Sequence, residues 1–333
     1  MKFDGHDRAA GFLRTAHQSG RLAHAYAFVG PAGIGKRDAA LRFAVALIAG
    51  DLSENASPGD VLRRRVHNGI HPDVRVYQPE EGKRIFGKPV IAEVLQDLSL
   101  RPMEAPVRVA ILDRADLMNA EAANTFLKTL EEPPPSTQIV LLVNEWFALL
   151  ETIRSRVQAV RFNPLPDSML AERVHGTPGA DHIDALQPLA QGSPGLLGNL
   201  LADNFPVVRE FLMEAVLRSP ALDPVEASDR LVDMTKPAND ETQEHQRGRL
   251  RNALQLVITW WRDALVASQL RAARPFDPAA AALMRRHIDR WSPSKLIDQL
   301  DRLTEMANDL SANMNIKMWT TRFLDLAPYP ERR

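Results

Sequence analysis

The run Gly30-Pro31-Ala32-Gly33-Ile34-Gly35-Lys36 fits a phosphate-binding loop throughout, and the residue after it, Arg37, breaks the pattern. Such a loop turns backbone N–H groups inward around phosphates at a helix N-terminus, and its lysine reaches the outer phosphates. It works only between a buried strand and a helix, so it predicts a strand over 24–29 and a helix over 36–48. The next position ordinarily carries a Ser or Thr whose hydroxyl holds Mg²⁺. A guanidinium has donors only and cannot ligate a cation. The loop is built to cradle phosphate but poorly equipped for metal-assisted hydrolysis.

The N-terminal half repeats the alternation that this loop demands. Residues 25–29, 74–77, 107–112 and 138–143 form short apolar runs, as strands buried on both faces should. A fifth run, 157–162, completes the set. Helical patterns lie between them at 7–19, 37–49, 90–98 and 120–130. This order predicts an α/β fold with a parallel five-stranded sheet covered by helices. Two stretches interrupt it. Residues 50–69 read as polar and irregular, with a solvated arginine run at 63–65, and 80–89 as a charged loop or hairpin. After Pro164 no strand pattern recurs. Residues 166–202 read as three short helices broken at 176–179 and 192–194, and 205–326 as helical throughout. Trp260, Trp261, Trp291 and Trp319 sit there at spacings suited to bundle packing. The expected domains are 1–164, α/β; 165–203, a small helical lid; and 204–333, an all-α bundle.

Several polar residues stand at strand ends, where such a module does its chemistry. The strand 107–112 runs into Asp113, followed by Arg114-Ala115-Asp116. In hydrolysing arrangements the strand-end acid supports Mg²⁺ and the next residue is a Glu that activates water. Arg114 cannot act as a base at neutral pH. Asp113 reads equally as a metal-supporting acid or as the cap of a helix starting near Asp116. The strand 138–143 ends at Asn144, which is either a turn residue or a group that orients water or a γ-phosphate. Thr152-Ile153-Arg154-Ser155-Arg156-Val157 then places two arginines around a serine. They are either surface cations paired with nearby carboxylates or donors to a phosphate on a neighbouring subunit.

Charge and composition exclude some classes. Lys plus Arg total 41 against 42 for Asp plus Glu, so no net field draws the chain to nucleic acid. Contact with DNA would come from a local patch or from partner subunits. The absence of cysteine rules out disulfides, thiolate catalysis and cysteine-based zinc sites. With no secretory pattern and no 18-residue apolar run, the expected compartment is the cytoplasm.

Together these patterns resemble the clamp-loader branch of the AAA+ ATPases. The resemblance rests on His24-Ala25-Tyr26 leading into the loop, His71-Pro72-Asp73, Ile111-Leu112-Asp113-Arg114-Ala115-Asp116, and Ala123-Asn124-Thr125-Phe126-Leu127-Lys128-Thr129-Leu130-Glu131-Glu132-Pro133-Pro134. It ends with Thr152-Ile153-Arg154-Ser155-Arg156-Val157-Gln158. It implies that Gly30, Gly33, Gly35 and Lys36 form a functional or relic nucleotide cradle. It makes Asp113 the Walker B acid, Asn144 the sensor, and Arg156 an arginine finger aimed at ATP on the next subunit. Val157 replaces the family's cysteine after that arginine. The lid would be the AAA+ lid and the bundle an oligomerisation collar. The implied partners are gamma/tau and delta subunits in a hetero-pentamer, the sliding clamp, and primed DNA reached through the assembled complex.

Hydrolysing members keep Ser or Thr where Arg37 stands, Glu where Arg114 stands, and a lid arginine after a Gly-Ser pair. Here Gly192-Ser193-Pro194 is followed by Gly195. The expectation is therefore a non-hydrolysing subunit of a replicative polymerase holoenzyme, with no required cofactor and at most ATP or ADP left in the loop. Ser57, Asp60 and Arg63 share the spacing of the family's zinc cysteines, but they are the wrong donors, so no zinc or other metal is expected. The alternatives are an active gamma/tau-type ATPase using Asp116 or Glu145 as base, and a degenerate P-loop binding module outside replication.

Overall fold

A computed structural model describes residues 1–52, 59–79, 85–175, 183–202, 205–218, 222–236, 243–270, 275–285, 291–310 and 314–328. They divide into two compact units, one of residues 1–169 with 192–195, the other of 170–191 with 196–333.

The first unit is built on strands β1 (Ala25–Val29), β2 (Val74–Tyr77), β3 (Arg108–Leu112), β4 (Thr137–Val143) and β5 (Gln158–Arg161). They form one five-stranded sheet in the order β2-β3-β4-β1-β5. Every pairing is parallel. Strand β1 lies between β4 and β5, with Ala27 opposite Leu141 on one side and Ala159 on the other. A central parallel strand must be apolar on both faces, and Ala25, Tyr26, Ala27 and Phe28 are all buried. Helices α1 (Asp7–Gln18), α2 (Lys36–Ala49), α3 (Asp60–His67), α4 (Lys88–Leu98) and α5 (Ala120–Glu131) supply the flanking layers. Phe3, Phe28, Phe43 and Phe162 fill one face, and Phe86, Ile91, Phe126 and Leu141 the other.

The expectation of an irregular 50–69 is corrected by α3. Only Val66 of that helix is buried, with Leu62 packed partly behind it. An apolar stripe this thin leaves almost no periodicity to read. The arginine run there is paired within the unit. Arg63 meets Asp60 at 3.2 Å and Arg65 meets Glu104 at 2.8 Å. Of the predicted loop 80–89, residues 80–84 lie outside the described residues. Phe86 is fully buried and forms a parallel bridge with Met118.

The His-Pro-Asp motif leads into the edge strand β2. Asp73, buried at the start of β2, accepts backbone N–H bonds from Met103, Glu104 and Ala105 at 2.8–3.0 Å. Arg108 adds a bond at 3.2 Å. Burial alone would raise this carboxyl, but these donors outweigh it and hold the group below its usual range. His71 is buried beside it, its Nδ1 accepting from the Asp73 N–H at 3.2 Å.

The helices after Pro164 are α7 (Asp167–Val174), α8 (Ile183–Ala190) and α9 (Pro194–Ala202). Then come α10 (Phe205–Leu212), α11 (Pro224–Thr235), α12 (Gln243–Gln269), α13 (Pro278–Met284), α14 (Pro293–Asp309) and α15 (Ile316–Leu326). The expected glycine break at 176–179 lies outside the described residues. Within the second unit Trp260, Trp261 and Trp319 are buried, as bundle packing requires. Their indoles donate to Asp277 Oδ2, Ala327 O and Met306 O at 3.1, 2.9 and 3.2 Å, so no N–H is buried unpaired. Trp291 packs edge-on against Trp261, with centroids 5.1 Å apart. Among the described residues no helix is long and apolar enough to cross a membrane.

Candidate functional site

The loop 30–36 leaves the C-terminal end of β1 and enters α2, as its motif requires. Gly35 takes the N-cap position at φ 99°, a left-handed conformation open to glycine at little cost. Lys36 then turns inward rather than out to solvent and is only 6% exposed. Its ammonium donates to Gly30 O and Pro31 O, each at 2.6 Å, and to Asn144 Oδ1 at 2.8 Å. All three N–H donors of an ammonium can thus be used. Burial pushes Lys36 down to about 8, against the pull of Asp116 and Asp113.

Asn144 stands at the end of β4, and its backbone N–H donates to Asp116 Oδ1 at 3.0 Å. The loop lysine and the expected sensor are therefore in direct contact, with Asp116 holding the sensor's main chain. Asp113 ends β3. The 3₁₀ turn Ala115–Leu117 that follows has no side-chain cap, and α5 is capped by Asn119, whose side chain accepts from Ala122 N. Asp113 faces Arg37 instead, with Arg37 Nη1 3.7 Å from Asp113 Oδ2. Gln78 Nε2 donates to the same oxygen at 3.4 Å. A positive side chain thus sits beside the acid where a hydrolysing site would place Mg²⁺. These residues do not fit that ion.

Gly195 was legible in the sequence only as a missing arginine. Its N–H donates to Gly33 O at 2.9 Å. A Cβ built at 195 would stand 2.8 Å from Gly33 O and 3.0 Å from Gly33 Cα, closer than carbon tolerates against backbone. The turn 192–195 can lie on the loop only because no side chain intervenes. On the other side His6 Nε2 lies 2.9 Å from Ile34 O, and the His6 ring packs edge-on against Phe162.

Arg156 follows the short helix α6 (Glu151–Arg154) just before β5. It makes none of these loop contacts. Its Nη1 donates to Thr152 O at 2.9 Å and to Ser155 Oγ at 3.1 Å, and its Nη2 meets Glu131 Oε1 at 2.6 Å. The side chain is 35% exposed. Arg154 is placed differently, with its guanidinium carbon 5.2 Å from the Phe147 ring centroid and 5.9 Å from that of Trp146. Of the two arginines, it is the one absorbed into local packing.

Residues 5–166 match the family model described as DNA polymerase III, delta subunit. The chain is 37% identical to the DNA polymerase III subunit delta' of Bacillus subtilis over 169 residues, half of each chain. It is 33% identical to the delta' subunit of Escherichia coli over 215 residues, covering 62% of this chain and 63% of that one. A gamma/tau subunit from Mycobacterium bovis is 30% identical over 210 residues, 60% of this chain and 36% of that relative. The chain thus spans between half and just under two thirds of the length of these two delta' relatives.

Proposed function

We propose that the chain works as a non-hydrolysing, delta-prime-type subunit of a DNA polymerase III clamp loader and lends Arg156 to ATP held by the neighbouring subunit. The observation that carries this reading is the pairing of Arg37 with Asp113. It sets a positive side chain beside the acid that would otherwise support Mg²⁺, and Arg114 follows where a base would stand. Losing a metal ligand and a water activator removes several kcal/mol of transition-state stabilisation. Arg156, by contrast, remains a partly exposed guanidinium, the group suited to charge developing on a transferring phosphoryl.

In this reading the partners are gamma/tau and delta subunits in a hetero-pentamer, with the sliding clamp and primed DNA engaged through the assembly in the cytoplasm. The helical bundle of residues 204–333 provides the collar. No cofactor is required. An ATP or ADP in the loop would be a structural ligand, with Lys36 exchanging carbonyl oxygens for phosphate oxygens.

The test is phosphate release with ATP, Mg²⁺ and primed DNA. The isolated chain should release none above background, whereas the loader reconstituted around it should turn over. Steady release by the isolated chain, lost in Lys36→Ala, would establish the gamma/tau-type alternative instead.

A further inference from the structure

The guanidinium of Arg156 is gripped from two sides. Nη1 caps the end of α6 through Thr152 O, while Nη2 is paired with Glu131 at 2.6 Å. Glu131 is the last residue of α5, with Glu132 at the C-cap. Carboxylates at a helix C-terminus oppose its dipole, where a cation would be favoured. An acid in that place calls for a compensating charge, and Arg156 supplies it.

We propose that Glu131 is a positioning residue that holds the arginine in the resting subunit and must surrender Nη2 before a neighbour's phosphate can take it. This rests on the assignment of Arg156 as the donor in trans. Both partners are partly exposed, Arg156 at 35% and Glu131 at 48%. The exchange is therefore readily reversible, because an ion pair this accessible biases an equilibrium by only about two- to fivefold. The Thr152 O bond does not involve Glu131 and can persist as Nη2 changes partner, so the guanidinium need not leave its corner. Glu131 would act as a counter-charge that keeps the donor neutralised until a more highly charged phosphate competes.

The experiment uses the reconstituted loader with wild type, Glu131→Gln, Glu131→Asp, Arg156→Ala and the Glu131→Gln/Arg156→Ala pair. ATPase is measured without and with primed DNA. Glu131→Gln should raise kcat without DNA about two- to fivefold, with KM for ATP unchanged and a smaller effect once DNA is present. Glu131→Asp should stay near wild type, and the gain should vanish when Arg156 is also absent. An unaltered melting temperature for isolated Glu131→Gln would separate this from loss of fold. Turnover at or below wild type in Glu131→Gln, while Arg156→Ala is severely impaired, would overturn the role of Glu131. Normal turnover in Arg156→Ala alone would overturn the underlying assignment instead.

Discussion

Lys36 and Arg156 are both cations at strand-end corners of the same sheet, and they are held in opposite ways. Lys36 is buried, and its donors are spent on Gly30 O, Pro31 O and Asn144. Arg156 is partly exposed, with one of its partners an accessible carboxylate. A phosphate seeking Lys36 must replace three short hydrogen bonds inside a loop already touched by Gly195. A phosphate seeking Arg156 displaces one surface ion pair. Two positive groups with similar motif pedigrees therefore differ in availability, and their packing, rather than their chemistry, accounts for it.

The sharpest way to break this contrast is to remove each cation in turn from the reconstituted loader. Arg156→Ala should lower ATPase at the one affected site by roughly 10³-fold while still assembling, if it behaves as arginine fingers do. Lys36→Ala in the same complex should leave turnover nearly unchanged. Equal losses in both variants would erase the distinction.

Burial of Lys36 also has a signature in pH. The folded chain holds this group at about 8 against an ordinary 10.5. Between those values the unfolded chain binds a proton that the folded chain has released, so stability rises with pH across the window. Below pH 8 the cost of burying the ammonium is complete. The relief should reach about 3 kcal/mol by the upper end. Denaturant unfolding at pH 7.5 and 10 should show this rise in wild type and lose it in Lys36→Met; equal slopes would mean the lysine is solvated.

A smaller effect is expected from Gly195→Ala. The added methyl would meet Gly33 O at 2.8 Å, and relieving that contact should cost roughly 1–3 kcal/mol. The thermal midpoint should fall, and the turn should release the loop. An unchanged midpoint would show that 192–195 does not rest on it.

Much of the first unit was legible in residue order. Parallel strands buried on both faces announce themselves as apolar runs, and all five strands fall within a residue of their expected limits. The helix α3 was not legible, because one buried valine gives no period. The loop's strand–helix context could be read directly, since Gly35 and Lys36 carry a local conformational demand. Asp113 was left open between cap and metal acid; the cap reading falls because Asn119 caps α5 and the preceding turn has no side-chain cap, while Arg37 lies beside the acid. Glu131 left one faint signal, an acid at the negative end of a helix, which has no meaning until the partner is known.

By itself the sequence determined the parallel sheet, the phosphate-type loop and the missing hydroxyl and base. These follow from periodicity and side-chain chemistry within a few residues. Tertiary structure alone decided that Lys36 is turned inward onto Asn144, 108 positions away, that Arg37 answers Asp113, and that Gly195 lies on Gly33. Those contacts join segments far apart in the chain, and long-range pairing is set by how the elements pack rather than by any local preference.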